Sequence, residues 1–250
     1  MKITIDIGNT TIAIGLSKTG ETIDKIYRIN TEKNKSSDEY SLLLNDFIKD
    51  CKEVIISSVV PELNEVFRDY FWERFNIEAL FVGTGVKTGL KINSDNPKEV
   101  GSDLIGNSVA AINIYSETCL VIDLGTATTF TYLENKILKG VVIATGLTTS
   151  KNALVSQTSL LPQVELQAPK RVLGTNSVDC IKSGLIFGHA SMIDGMIKRI
   201  KAETNTPDLK VIITGGHAKI VYPYCTEELI KDESLILKGL LIILEKNRRH

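Results

Sequence analysis

One short pattern occurs twice in the chain, about half a chain length apart. Residues 3–13 read ITIDIGNTTIA and residues 121–131 read VIDLGTATTFT, so that Asp6 and Asp123 are 117 positions apart. In each copy an apolar, β-branched run precedes an aspartate, a glycine turn with hydroxyl or amide side chains, and a second strand-like run. Because such internal repeats reflect copies of one structural unit, the chain is expected to contain two similar halves.

The order of the predicted secondary structure is also similar in the two halves. Three strands joined as hairpins come first, and helices and strands follow, which favours a mixed β-sheet with helices on its faces. Helices are expected at about residues 99–114, 177–202 and 232–246. With 250 residues the chain is long enough for two domains, and the predicted division is 1–116 and 117–250.

Composition argues against several classes of partner. The net charge is −1 and 24% of the residues are charged, which argues against nucleic acid and against a polybasic membrane-binding segment. The longest apolar stretch, residues 235–244, is too short to span a bilayer. Met1 leads straight into a strand-like run with no signal-peptide pattern, and the four cysteines share no metal-like spacing. A cytoplasmic protein with reduced thiols is therefore expected.

The two glycine turns are candidates for phosphate binding. A glycine after a strand-end aspartate lets backbone N–H groups approach phosphate oxygens, and Asn9, Thr10 and Thr126 add side-chain donors. Asp6 and Asp123 supply hard oxygens for a cation beside the phosphates. The alternative is that both aspartates only shape hairpin turns. Two copies at equivalent positions favour a nucleoside triphosphate and its metal in a cleft between the halves.

A third glycine turn follows a buried strand in the second half. Thr214, Gly215 and Gly216 come directly before a predicted helix. Such a turn offers a flat backbone surface and a helix N-terminus to an adenosine moiety or its phosphates. The same residues also make an ordinary strand-to-helix turn, so the interpretation depends on the two hairpins that precede it.

Asp103 is the candidate for acid–base chemistry. It lies at or near the start of a predicted helix, two residues after Gly101. A carboxylate there can accept a proton from a substrate hydroxyl during phosphoryl transfer. It can equally be an acidic residue that the helix macrodipole favours, and from spacing alone this second interpretation is the better supported.

Taken together, these residues resemble one family over the full length of the chain. The two hairpins are similar to those of the superfamily of acetate and sugar kinases, actin and heat-shock chaperone ATPases, and the whole chain resembles type III pantothenate kinases. Residues 95–103, DNPKEVGSD, are similar to the family pattern D-N-P-x-E-V-G-A-D-R. The other matching segments are 6–10, 57–61, 123–128, 153–154, 161–165, 183–184 and 214–216.

The resemblance implies two RNase H-like (actin-like) α/β domains and ATP-dependent phosphorylation of pantothenate, the first step toward coenzyme A. It implies a homodimer that shares the acceptor site, Mg²⁺, and a monovalent cation, K⁺ or NH₄⁺. Asp103 would be the general base, with Asp123 and Asp6 at the cations. The expected nucleotide-binding residues are Asp6, Ile7, Gly8, Asn9, Thr10, Thr11, Ile12, Ala13, Thr126, Gly215 and Gly216. The expected pantothenate-binding residues are Gly101, Ser102, Asp103, Leu104 and Ser177.

The departures from the family pattern lie in the acceptor-binding motifs. Leu104 replaces an arginine that can bind phosphate or carboxylate through forked, charged hydrogen bonds. Ser94 replaces a tyrosine, Val141 and Thr145 replace a glycine and a proline, and Ser177 replaces a threonine. Both phosphate loops are intact. Three alternatives therefore stay open: a kinase for another small hydroxyl acceptor, a weakly active nucleotide-binding regulatory or transcriptional accessory protein, and phosphatase or polyphosphate hydrolase chemistry.

Overall fold

The computed structural model describes residues 1–158 and 161–248, which form two compact units. The first unit contains residues 1–114, residues 136–138 and the C-terminal segment from Ser234 onward. The second contains residues 115–135 and 139–233. The division into domains 1–116 and 117–250 stays a prediction. The two compact units have other bounds than these domains, chiefly because the C-terminal segment packs with the first half of the chain.

Strands and helices follow each other in the expected order. The strands are β1 (Lys2–Ile7), β2 (Thr11–Ser17), β3 (Lys25–Asn30), β4 (Glu53–Ser58), β5 (Leu80–Phe81), β6 (Lys91–Ile92), β7 (Cys119–Leu124), β8 (Ala127–Glu134), β9 (Ile137–Thr145), β10 (Lys210–Thr214) and β11 (Ile230–Lys231). The helices are α1 (Ser37–Leu44), α2 (Asn64–Phe75), α3 (Ser102–Ile114), α4 (Leu147–Ser156), α5 (Ser177–Glu203), α6 (Ala218–Val221) and α7 (Leu235–Lys246).

The two units share one sheet topology, which confirms the predicted α/β fold with two similar halves. In the first unit the strand order is β3-β2-β1-β4-β5, with β1 antiparallel to β2 and parallel to β4. In the second unit the order is β11-β10-β7-β8-β9, with β7 antiparallel to β8 and parallel to β10. Asp6 and Asp123 therefore lie on equivalent central strands. Residues 136–138 group with the first unit, where β6 pairs with Ile137 and Leu138.

The tips of the two repeated hairpins differ by one residue. In the first hairpin the last strand pair is Ile7 with Ile12, which leaves residues 8–11 in the turn. In the second the last pair is Leu124 with Thr128, which leaves only residues 125–127. The sequence repeat therefore loses its one-to-one correspondence after the turn, and each loop presents its own set of backbone N–H groups.

The last helix, α7, belongs to the core of the first unit. It packs against α3 and β1, and its buried side chains are Leu235, Leu237, Leu240, Leu241, Ile243 and Leu244. Gly239 lies directly on the backbone of Gly106 in α3, so that a Cβ atom at residue 239 would overlap the Gly106 carbonyl oxygen. The buried ammonium of Lys2 forms an ion pair with Glu245, which joins the end of α7 to the start of β1.

Candidate functional site

In the first unit, Asp6 lies next to a hydroxyl group on the neighbouring strand. The parallel register of β1 and β4 pairs Asp6 with Ser57, and the Ser57 Oγ donates a hydrogen bond of 3.0 Å to Asp6 Oδ1. Asp6 is half-buried, whereas Ile7 and Ile12 are fully buried in the core. The side chains of Ile7 and Ile12, both predicted nucleotide-binding residues, are therefore not available to a ligand.

The first phosphate loop, residues 8–11, is stabilised by Thr31, which the sequence did not indicate as a site residue. The Gly8 N–H donates to the Thr11 carbonyl at 3.1 Å and closes the turn. Thr31 donates its hydroxyl to the Gly8 carbonyl at 2.6 Å and its N–H to the Thr10 carbonyl at 3.0 Å. No pattern near Thr31 indicates this contact, since it depends on the pairing of β2 with β3. Asn9 and Thr10 are exposed.

Asp103 lies in the first turn of α3, as expected. The first helical bond runs from the Ile105 N–H to the Gly101 carbonyl, and Asp103 Oδ1 accepts the Leu104 N–H at 2.8 Å. The carboxylate lies against Gly101, where a Cβ atom would collide with it. Burial raises the pKa of Asp103 above its ordinary value of 3.8. Within the described part of the chain, no lysine or arginine forms an ion pair with Asp103.

In the second unit, the structure brings together two motifs that lie far apart in sequence. The register of β7 and β10 pairs Asp123 with Thr214, so a hydroxyl residue faces this aspartate as Ser57 faces Asp6. Gly215 follows with a φ of +95°, a conformation that favours glycine. A Cβ atom at residue 215 would collide with Asp123 Oδ1 and would lie 2.5 Å from the Leu124 nitrogen. The Asp123 carboxylate at the end of β7 is thus in direct contact with the glycine turn that follows β10.

The second phosphate loop, residues 125–127, is held by the first turn of α4. The Gly125 N–H donates to the Ala127 carbonyl at 3.0 Å. The Thr149 hydroxyl donates to the Thr126 carbonyl at 2.8 Å, as Thr31 does to the first loop. Gly146, just before α4, lies so close to residues 125 and 126 that a side chain there would collide with their carbonyl groups. Thr149 also lacked a recognisable sequence signal.

Two histidines lie behind this loop rather than on its exposed side. The His217 N–H donates to the Leu124 carbonyl at 3.1 Å, and its Nε2 lies 3.1 Å from the Thr148 hydroxyl. His189 is buried, with Nε2 2.9 Å from the Thr128 hydroxyl. Burial lowers the pKa of both rings, so both are neutral at physiological pH. They support the loop as hydrogen-bonding groups.

The similarity to known proteins now decides the family. Residues 2–199 match the model of the type III pantothenate kinase family. The type III pantothenate kinase of Shouchella clausii is 41% identical, covering 99% of this chain and 100% of that protein. The one from Acholeplasma laidlawii is also 41% identical, covering 99% of each. The chain belongs to the type III pantothenate kinase family. It is therefore a phosphoryl-transferring enzyme.

A solved structure supports the actin-like fold of this family member. The activator of 2-hydroxyisocaproyl-CoA dehydratase from Clostridium difficile, with bound ADPNP, aligns with a TM-score of 0.57. The alignment covers 100% of this chain and 98% of the activator at 15% sequence identity. At that identity the similarity concerns the fold alone.

Ser177 of this family member lies at the start of α5, beside a cavity of about 630 Å³ in the second unit. Asn176 caps the helix by accepting the Asp179 N–H at 2.9 Å. Leu154 and Leu161 contribute apolar walls, and Cys180 also lines the cavity. The assignment of Ser177 to pantothenate stays a prediction.

Metal-binding side chains do not form a cluster in the part of the chain that the structure describes. Among residues 1–158 and 161–248, no group of three or more His, Cys, Asp or Glu side chains is placed to hold a metal ion. No helix in the described chain combines the length and apolar character needed to cross a membrane.

Proposed function

We propose that this enzyme transfers the γ-phosphoryl group of ATP to the 4′-hydroxyl of pantothenate in the cytoplasm, the first step of coenzyme A biosynthesis. The observation that carries the proposal is Asp103, a half-buried carboxylate with a raised pKa at the start of α3. A general base works best when its pKa approaches the working pH, and burial moves Asp103 in that direction. Family membership supplies the substrate class.

Each loop has a defined role in this reaction. The Gly8 and Gly125 N–H groups close the two turns, so other backbone N–H groups of residues 9–11 and 126–127, with the Thr10 and Thr126 side chains, would bind phosphate oxygens. Gly215 and Gly216 would lie against the adenosine. Asp103 would take the hydroxyl proton of pantothenate as the new O–P bond forms. Bound Mg²⁺ and a monovalent cation supply positive charge that offsets the charge of the phosphates.

The cations fit the chemistry of the two central aspartates. Asp6 and Asp123 are half-buried carboxylates beside the two loops, and carboxylate oxygens are the ligands that hard cations prefer. We assign Asp123 to the monovalent cation, K⁺ or NH₄⁺, and Asp6 to Mg²⁺. Their oxygens would be the protein's contribution, with the remaining ligands coming from phosphate and water.

The acceptor side of the proposed site is less charged than the family pattern. Leu104 has no charged group for the pantothenate carboxylate, and its N–H is bonded to Asp103. Gly101, Ser102 and Leu104 would therefore contribute backbone and apolar contacts to the substrate. This difference is the specific observation that favours the second candidate function, a kinase for a different small hydroxyl acceptor.

The decisive experiment is a direct product assay. The purified protein is incubated with ATP, Mg²⁺, a potassium salt and pantothenate, and 4′-phosphopantothenate is measured by mass spectrometry. Omission of pantothenate is the control for hydrolysis of ATP by water. Turnover of another hydroxyl acceptor alone would support the second candidate. Binding of ATP with no turnover of any acceptor would contradict the kinase proposal and favour the regulatory alternative.

The pH dependence of the reaction should report the ionisation of Asp103. Asp103 accepts a proton only when it is ionised, so kcat/KM should fall as the pH drops through its pKa. Because burial raises the pKa of Asp103, this acidic limb should lie above the ordinary aspartate value of 3.8. A pH–rate profile measured between pH 4 and 8 tests the expectation. A flat profile over that range would contradict it.

We also propose that the protein is a homodimer through the second unit. Ile143, Val172 and Leu173 are large apolar side chains with exposed fractions of 70%, 64% and 84%. Apolar surface of this kind is favourable to cover in a symmetric contact between identical chains. Sedimentation analysis should give twice the mass of the chain. Replacement of Leu173 by aspartate should shift the mass toward the monomer, whereas a monomeric wild type would contradict the proposal.

A further inference from the structure

Asp6 is connected to the helix that carries Asp103 through two buried serines. The Ser57 hydroxyl donates to Asp6 Oδ1 at 3.0 Å, and the Ser57 Oγ lies 3.0 Å from the Ser102 Oγ. Ser57 is 0% exposed and Ser102 is 9% exposed, so water does not compete for these contacts. All four residues belong to the first unit.

Ser102 is in turn bonded to both backbone groups of Ser58 in β4. Its hydroxyl oxygen accepts the Ser58 N–H at 3.0 Å and donates to the Ser58 carbonyl at 3.0 Å. The Ser102 hydroxyl is therefore bonded to protein atoms, one residue before Asp103. The exchange of Ser102 for alanine removes only this hydroxyl group and should leave the fold intact.

The number of hydroxyl protons limits how many of these contacts can be hydrogen bonds at the same time. Ser57 and Ser102 together have two hydroxyl protons, whereas the contacts to Asp6, between the serines and to the Ser58 carbonyl need three. Asp6 Oδ1 accepts the Ser57 proton. Ser57 is then an acceptor for Ser102, whose single proton is shared between the Ser57 oxygen and the Ser58 carbonyl. The hydrogen bonds therefore run from Ser102 through Ser57 to Asp6 and connect the start of α3 to this carboxylate.

We propose that Ser57 and Ser102 are positioning residues that hold the start of α3, and with it Asp103, at a set distance from Asp6. The inference rests on the proposed function, in which Asp6 binds the cation and Asp103 is the base. Phosphoryl transfer depends mainly on positioning, and small displacements of a base lower the rate. The hydroxyl groups of the two serines contact neither substrate in this proposal, so they act through Asp6 and Asp103.

Three variants and one matched control test the proposal kinetically. Ser57→Ala and Ser102→Ala should each lower kcat by roughly two- to tenfold, the range for one buried hydrogen bond, with the KM for ATP changed by less than about twofold. The kcat of the double variant should fall by about as much as that of the more impaired single variant, because both substitutions interrupt the same connection. Ser108→Ala is the control, since Ser108 is buried in α3 and its hydroxyl has no hydrogen-bond partner among the described residues. It should leave kcat unchanged.

Two further measurements separate positioning from a general loss of stability. Loosening the start of α3 admits water to Asp103, so the acidic limb of kcat/KM should move to lower pH in both single variants and not in Ser108→Ala. Amide hydrogen exchange without substrates should accelerate at Ser58 in Ser102→Ala, and also in Ser57→Ala, which leaves the Ser58–Ser102 bonds themselves in place. Unchanged exchange at Ser58 in Ser57→Ala, or additive losses of kcat, would overturn the proposal. A wild type without pantothenate turnover would overturn the proposed function instead, while hydrogen exchange would still decide the connection.

Discussion

Replacement of Asp103 by asparagine should lower kcat for pantothenate phosphorylation by about 100- to 10,000-fold, the range that a positioned general base contributes. Asparagine has nearly the same shape and can still accept the Leu104 N–H, but it cannot take the proton of the substrate hydroxyl. Binding of ATP, measured by calorimetry or by a fluorescent analogue, should change little, because the proposed phosphate loops do not include residue 103.

The same substitution should not destabilise the protein. Burial gives Asp103 a higher pKa in the folded chain than in the unfolded chain. The folded state therefore binds the proton more tightly, and the free energy of unfolding falls as the pH rises through the window between the two pKa values. At neutral pH the ionised carboxylate lowers the free energy of unfolding, and replacement by asparagine removes this destabilising effect. The melting temperature should be equal to that of the wild type or higher.

A matched control distinguishes a base from an ordinary acidic residue at a helix start. Asp38 lies in the first turn of α1 and is exposed. Asp38→Asn removes the same interaction with the helix macrodipole, so it should cost a few tenths of a kcal/mol in stability with no change in kcat. If Asp103→Asn behaves like Asp38→Asn, then Asp103 is only a helix-start acid and its assignment as the base is wrong.

Replacement of Gly239 by alanine should lower the free energy of unfolding by about 1–3 kcal/mol or more. The added Cβ atom would overlap the Gly106 carbonyl oxygen and lie 3.2 Å from the Ala110 nitrogen. Both obstacles are backbone atoms of α3, so no flexible side chain can move aside. The two helices must separate, which loosens the packing of α7 and displaces the helix that carries Asp103. Urea unfolding and kcat should therefore both report the change.

Gly195→Ala is the control with the opposite expected sign. Gly195 lies inside α5, and a Cβ atom there would meet no atom within 4 Å. Alanine in a helix interior is favoured over glycine by roughly 0.5–1 kcal/mol because it loses less backbone entropy, so this variant should be more stable than the wild type. Equal effects of the two substitutions would show that the contact between α3 and α7 is not the cause of the loss at Gly239.

Local patterns were sufficient for most of the secondary structure. Ser36 and Glu39, a local pair three residues apart, form a capping box at the start of α1, with the Ser36 N–H donating to Glu39 at 2.9 Å. The long helix expected at 177–202 is α5, Ser177–Glu203. The helix expected at about 99–114 begins at Ser102 instead, because residues 97–99 form a separate 3₁₀ turn. That shift places Asp103 in the first helical turn, next to Gly101.

The sequence by itself determined the duplicated α/β fold, the family and the candidate residues, because strand patterns, glycine turns and acidic residues at helix starts are local features. Only the tertiary structure decided how those residues are held. Thr31 and Thr149 hold the loops, Ser57 joins Asp6 to Ser102, and the second turn is one residue shorter than the first. These features arise from strand register and from contacts between segments far apart in the chain. A hydroxyl side chain carries no local sign of which distant carbonyl or carboxylate it will bind.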